Sequence, residues 1–260
     1  MSEASVIVTV EGQAAIVLLN EPKSMNALSG GIREILTREI PRLLDDPAVR
    51  CLVFTGTGGA FCAGGDIRNM DDRRATDTRA RMQRHYKGWV GRLLKAEKPV
   101  VMAVNGAAAG AGVSLALMGD ILIASREAYF TTAFVRLGAM PDLGLVATLP
   151  RAIGMARARD MLLTGRKVAA EEALQMGLVA RVVAVDQLMP IALEAAQALA
   201  AGPTMTLGLI KRLLQRAYDP SMDEYLEAES FAQAMAMSTD DFREGVAAFR
   251  EKRRPKFQGR

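Results

Sequence analysis

Two apolar runs, residues 6–10 and 15–19, separated by the polar Glu11, Gly12 and Gln13, predict a β-hairpin. Residues 21–26 break the pattern as an irregular loop. Ser29 stands as an N-cap before a helix to Leu44, whose apolar face carries Ile32, Ile35, Leu36, Ile40, Leu43 and Leu44. Asp45, Asp46 and Pro47 end it, and an apolar strand follows at 51–55. Strand, helix and strand within the first 55 residues mark an α/β layer. Residues 69–78 are polar and charged and read as a surface loop. An amphipathic helix is expected over 79–95, with Met82, Tyr86, Trp89, Val90, Leu93 and Leu94 inward; it carries the single histidine, His85. A strand at 100–104 leads through small residues, 105–112, into a helical pattern at Leu115, Leu117 and Met118. Further strands are expected at 121–124 and 128–130, helices at 156–163 and 169–176 closed by Gly165 and Gly177, and a strand at 179–183. A helix from Asp186 to Ala201 stops at Gly202-Pro203.

Beyond Pro203 strand signals vanish. Leu207, Ile210, Leu213, Leu214 and Ala217 form one helical stripe, residues 225–237 a second and 242–249 a third. The shift divides the chain into a core, 1–199, and a helical module, 200–260, whose apolar stripes need a partner.

Composition narrows the class. Half the residues are hydrophobic and 24% charged, an ordinary globular profile, and no apolar run reaches the roughly 20 residues that span a bilayer. The N-terminus has no basic segment followed by a long apolar one, so no signal peptide is expected. Cys51 and Cys62 lie in or beside buried strand patterns and read as core thiols, in keeping with a reducing cytoplasm. The formal charge of +4 is not spread evenly. Residues 250–260 hold six cations against one acid, Glu251, a net +5 that leaves −1 for the rest. No nucleic-acid recognition motif accompanies that tail.

Two stretches carry candidate chemistry. In 51–67, CLVFTGTGGAFCAGGDI, a buried strand runs into a glycine-rich turn. In 98–121, KPVVMAVNGAAAGAGVSLALMGDI, a strand passes through residues no larger than alanine into a helix N-terminus, where backbone N–H groups lack intrahelical partners. Two such corners, each offering a free N–H, can donate to one oxygen, an oxyanion hole made of backbone alone. These residues, with Asn26-Ala27-Leu28, Asn105-Gly106, Gly138 to Pro141-Asp142 and Leu149-Pro150-Arg151, resemble the enoyl-CoA hydratase/isomerase (crotonase) superfamily from about residue 6 to the C-terminus. Its members nearest in these motifs isomerise enoyl-CoA double bonds or ring-opened phenylacetyl-CoA.

The resemblance implies an α/β fold, a crotonase-type ββα spiral core with a C-terminal helical oligomerisation module; periodicity alone would not separate it from a doubly wound sheet. It implies a homotrimer or dimer of trimers, with no nucleic-acid or membrane partner. Coenzyme A is expected as part of the substrate thioester, with no prosthetic group and no metal. By position, the oxyanion donors would be the N–H groups of Gly65 and Ala111. The thioester would lie along Lys23, Met25 and Ala27 on one loop and Ala63, Gly65, Asp66 and Ile67 on the other. Phe249 and Lys252, of the same or a neighbouring subunit, would complete the nucleotide site. Hydratases of the family use two glutamates, which fall here at Ser114, whose hydroxyl is no base without help, and at Phe134, which cannot carry a proton at all. Asp142 stands where isomerases carry their proton shuttle, so double-bond isomerisation is the expected reaction. Ser114, Phe134 and Leu143 would line the acyl pocket. A silent acyl-CoA binder, hydration and hydrolytic dehalogenation are the alternatives. The GVSLA segment at 112–116 falls one residue short of a G-x-S-x-G elbow, and the only histidine precedes its serine. Neither a G-x-G-x-x-G nor a P-loop motif is present.

Overall fold

The computed structural model describes residues 4–67 and 74–260. β1 (Val6–Glu11) and β2 (Ala14–Leu19) form the expected hairpin, in register from Val6 opposite Leu19 to Glu11 opposite Ala14. α1 (Gly30–Asp45) begins where Ser29 Oγ accepts the Ile32 N–H, and it buries Ile32, Leu36, Ile40 and Leu43. Next come β3 (Cys51–Gly56) and β4 (Ala60–Cys62). α2 (Ala75–His85) runs into one wide turn, Tyr86–Val90, and then into α3 (Gly91–Leu94). The chain continues through β5 (Val100–Val104), β6 (Ala107–Ala109) and α4 (Ala111–Ala116). β7 (Ile121–Ser125) and β8 (Tyr129–Thr131) follow. A 3₁₀ turn, Ala133–Leu137, leads to α5 (Leu145–Ile153) and α6 (Met155–Thr164). β9 (Lys167–Ala169), α7 (Ala170–Met176), β10 (Arg181–Val183) and α8 (Leu188–Ala200) close the core. α9 (Thr204–Gln215), α10 (Met222–Met237) and α11 (Asp240–Arg250) follow it.

Among the described residues the strands form two sheets, ordered β1-β2-β3-β5-β7-β10 and β4-β6-β8-β9. Each turn of chain lays its first strand (β3, β5, β7) in the larger sheet and its second (β4, β6, β8) in the smaller, parallel to the strand before. The result is the expected spiral of ββα turns. One apolar core, with Phe54, Phe61, Trp89 and Phe130 fully buried, fills the space between sheets and helices. α8 covers the other face of the larger sheet with Leu188, Ala192, Ala196 and Ala200. Cys62 is buried in the core between the sheets and Cys51 under α8, and neither forms a disulfide.

Several expectations need correction. The loop expected at 69–78 falls partly outside the described residues, but from Ala75 onward the chain is already helical. The helix expected over 79–95 is not continuous, because Gly88 takes ψ −117° and breaks it at the wide turn. The small-residue stretch 105–112 is not all loop: Ala107–Ala109 is a strand. Ala169 ends a strand rather than opening a helix, and the strand expected at 179–183 is confined to Arg181–Val183. No helix among the described residues is long and apolar enough to cross a membrane.

Candidate functional site

The site is built where β3 and β5 end, because there the backbone leaves β3 through Gly56, Gly58 and Gly59 and β5 through Asn105 and Gly106. Asn26, fully buried and left-handed at φ 55°, donates through Nδ2 to the carbonyls of Thr57 (2.9 Å) and Ala60 (2.8 Å). Its Oδ1 accepts the Glu21 N–H at 2.9 Å. Asn105 acts alike on the next turn: Oδ1 accepts the Gly56 N–H (3.1 Å) and Nδ2 donates to Gly58 (2.9 Å). These two side chains stand in for ladder bonds that the strands no longer make, and so fix both corners.

The 23–27 loop is zipped to the 63–65 loop by Ala63 N–H to Met25 O (2.9 Å) and Leu28 N–H to Gly64 O (2.7 Å). Gly64, at φ 91°, lets the second loop meet α4. A Cβ built there would fall 2.6 Å from Ala109 O, closer than a side chain tolerates, and 3.0 Å from Ala111 N. A Cβ on Gly112 would collide with Cys62 O at 2.0 Å. The 63–65 loop and the N-terminus of α4 are thereby packed closely against each other. The positive φ at this corner, 52°, belongs to Gly110, so the methyl of Ala111 carries no strain. Among the described residues neither the Gly65 nor the Ala111 N–H is one of the loop donors that find an acceptor. Two such donors, where they converge, can hold an oxygen that becomes negatively charged.

Asp142 enters from the segment before α5. It precedes two successive left-handed residues, Leu143 (φ 53°) and Gly144 (φ 87°), a backbone that leucine adopts only when its surroundings enforce it. Leu143 is buried, and Asp142 Oδ1 is buried without a hydrogen-bond partner. Burial raises the Asp142 pKa above the usual carboxylate range, against the opposing charges of Arg33 and Arg81. Ser114, 1% exposed, also has a buried oxygen without a partner. The ring of Phe134 closes over Gly110, where a built Cβ would lie 3.8 Å from its Cζ.

Three groups were not legible as site residues. Arg33, from the first turns of α1, has its charge felt at Cys62, His85 and Asp142. Arg81 acts on His85 and Asp142. Tyr86, at the wide turn, lies against the Leu143 backbone, and burial raises its pKa. With Leu28, Asp66 and His85, the two arginines line a cleft of about 670 Å³. Burial, before the neighbouring arginines, lowers the His85 pKa. In sequence the arginines look like ordinary polar positions of amphipathic helices, and nothing local distinguishes them.

Of the expected thioester contacts, Lys23, Met25 and Ile67 are exposed, Ala63 and Gly65 are half-buried, and Ala27 and Asp66 are buried. Phe249 and Lys252 are not brought to these loops by any hydrogen bond or ion pair among the described residues. Phe249 is 86% exposed, and Lys252 sits just past α11 at φ 54°. The tail beyond them is tied elsewhere. Asp241 accepts the N–H groups of Gln258 (2.6 Å) and Gly259 (2.7 Å), and Arg50 donates to Phe257 O (3.2 Å). Arg50 precedes β3, whereas the loops follow its other end, roughly 20 Å away for a strand of that length.

A sequence model described as enoyl-CoA hydratase/isomerase matches residues 9–260. The chain is 41% identical over 254 residues to a 1,2-epoxyphenylacetyl-CoA isomerase of Escherichia coli, covering 96% of this chain and 97% of that protein. It is 33% identical to a mitochondrial enoyl-CoA hydratase of Pongo abelii, covering 94% of this chain and 83% of that one. Among solved structures, an enoyl-CoA hydratase/isomerase from Cupriavidus metallidurans superposes with a TM-score of 0.92 at 32% identity, over 100% of this chain and 98% of the other. An enoyl-CoA hydratase from Bacillus anthracis gives 0.93 at 29%, over 98% and 100%.

Proposed function

We propose, for a chain that belongs to the enoyl-CoA hydratase/isomerase family, that it is an isomerase moving a double bond in an enoyl-CoA thioester. The thioester carbonyl oxygen accepts hydrogen bonds from the Gly65 and Ala111 N–H groups. Asp142, as carboxylate, takes a proton from C2; the electron pair of that C–H bond enters the π system, and the charge resides on the carbonyl oxygen. The resulting dienolate is protonated at C4 by the same carboxyl, which leaves a conjugated 2-enoyl thioester and a regenerated carboxylate. No atom is gained or lost, and no cofactor is consumed.

The observation that carries this reading is the buried, unpartnered Oδ1 of Asp142, in a site where Ser114 and Phe134 supply no second carboxylate. Addition of water in this family takes two carboxylates to manage the water and its protons, and a serine hydroxyl and a phenyl ring stand in their places. The coenzyme A part of the substrate runs along Lys23, Met25 and Ala27 and the 63–67 loop. The tail is tied at the far end of β3, which favours Phe249 and Lys252 of a neighbouring subunit as the remaining contacts.

Supplying a 3-enoyl-CoA and following the conjugated thioester by ultraviolet absorbance tests the reaction. Formation of 2-enoyl-CoA without 3-hydroxyacyl-CoA is expected. Binding without any change would leave a silent acyl-CoA binder, and a hydroxylated product would return the reaction to hydration.

A further inference from the structure

Leu143 follows the proton carrier directly, and its backbone is hard to hold. At φ 53° it occupies the left-handed region, a costly place for a residue with a Cβ. It is also buried, at 7% exposure. Its N–H donates to no backbone carbonyl among the described residues, although two residues on the Leu145 N–H reaches Asp142 O at 3.1 Å. A buried amide without an acceptor is costly, so something must take this proton. The group that faces the Leu143 N–H is the hydroxyl oxygen of Tyr86.

Tyr86 reaches that position from an irregular piece of helix. It stands where α2 gives way to the wide turn, and its carbonyl accepts the Gly91 N–H, five residues on rather than four. Gly88, at ψ −117°, lies inside the same turn. The extra residue re-aims the side chains around it, a device frequent at functional sites. Tyr86 is half-buried against the apolar core that also holds Leu143, and the Asp142 charge is felt at its hydroxyl. Asp142 Oδ1 has no hydrogen-bond partner. Nothing bonded to that oxygen aims the carboxylate; the backbone that carries it does. Two irregular stretches, 86–90 and 143–144, thus meet beside the proton carrier.

We infer that Tyr86 is a positioning residue: its hydroxyl accepts the Leu143 N–H, holds Leu143 left-handed, and so keeps Asp142 aimed at the acyl carbons between which it moves the proton. The inference rests on the reading of Asp142 as the proton carrier. Tyr86 itself neither takes nor gives a proton, and it acts only through the 142–143 backbone.

Tyr86→Phe removes the hydroxyl and nothing else, and a calorimetric Kd for hexanoyl-CoA shows whether the site still forms. Affinity should stay within a few-fold of wild type, while kcat on 3-hexenoyl-CoA should fall by about tenfold or more, the cost of a misaimed reacting group. A second background separates positioning from packing. Leu143→Gly reaches the left-handed region unaided, so Tyr86→Phe should cost far less when added to it than in the wild-type chain. An undiminished kcat in Tyr86→Phe, a loss carried by Kd instead of kcat, or an equal loss in both backgrounds would each overturn the inference. If 3-hexenoyl-CoA is not turned over at all, the isomerase reading fails. Exchange of the C2 hydrogens of hexanoyl-CoA with deuterium oxide, read by mass spectrometry, then decides the role of Tyr86 by the same comparisons, and no exchange in wild type would overturn it as well.

Discussion

Asp142 is held in a place that a carboxylate does not prefer. Its pKa is raised chiefly by burial, and Arg33 and Arg81 offset part of that rise. A proton acceptor of this kind works in its ionised form, so kcat/KM should increase with pH through a midpoint above the ordinary aspartate value of about 3.9. Arg33→Gln should move that midpoint upward by removing one of the opposing charges, and a pH–rate profile reads the shift; an unmoved midpoint would exclude Arg33 from tuning the acid. The same displacement bears on stability. A carboxyl whose pKa is higher folded than unfolded contributes stability that is fully present below the unfolded value and lost as pH rises through the folded value. Asp142→Asn should therefore melt higher than wild type near neutral pH, by about 2–4 °C for each kcal/mol relieved in a chain of this size. The gap should close as the solution approaches about pH 4. Calorimetry at two pH values checks it, and a variant that melts lower at neutral pH would show that the carboxylate is not destabilised where it lies.

At the scale of elements, much was legible because its causes are local. The hairpin, the Ser29 cap and the two strand-to-glycine corners each follow from a few adjacent residues. What was hidden depends on partners distant in sequence. Ala107–Ala109 carries no β-branched or aromatic signal and is a strand only because β4 and β8 flank it. The break at Gly88 is not announced by proline; it brings Tyr86 against the left-handed Leu143, a contact between two separate segments. The docking of α9 on the core was equally hidden. Lys211, its side chain 10% exposed, reaches Asp120 Oδ2 (2.6 Å) and Lys98 O (2.6 Å), and the same carboxylate oxygen accepts the Val100 N–H (2.7 Å). Removing one member of a fully buried pair costs about 3–5 kcal/mol, and Asp120 is partly screened by solvent. Lys211→Met should thus lose about 1–3 kcal/mol in urea unfolding, and an unchanged midpoint would mean that the pair contributes no net stability.

At the scale of the molecule, α9 to α11 leave large apolar side chains in solvent, among them Leu214 at 64% and Phe231 at 63% exposure. A lone chain has nothing to cover them, and surfaces of this kind mark interfaces. Light scattering at micromolar concentration should return a multiple of 28.0 kDa; a monomer mass would contradict both the assembly and a nucleotide site completed by a neighbouring tail. The basic tail itself is less available than its charge suggests, because Arg253 is engaged by Glu244 and Glu251.

The central claim is that one carboxylate carries the proton from C2 to C4. Asp142→Asn keeps the size of the side chain and removes its base. Measured side by side, the affinity for a saturated acyl-CoA should stay within a few-fold of wild type, while turnover of 3-enoyl-CoA should fall by about 10²-fold or more. Full turnover in the variant would contradict the account.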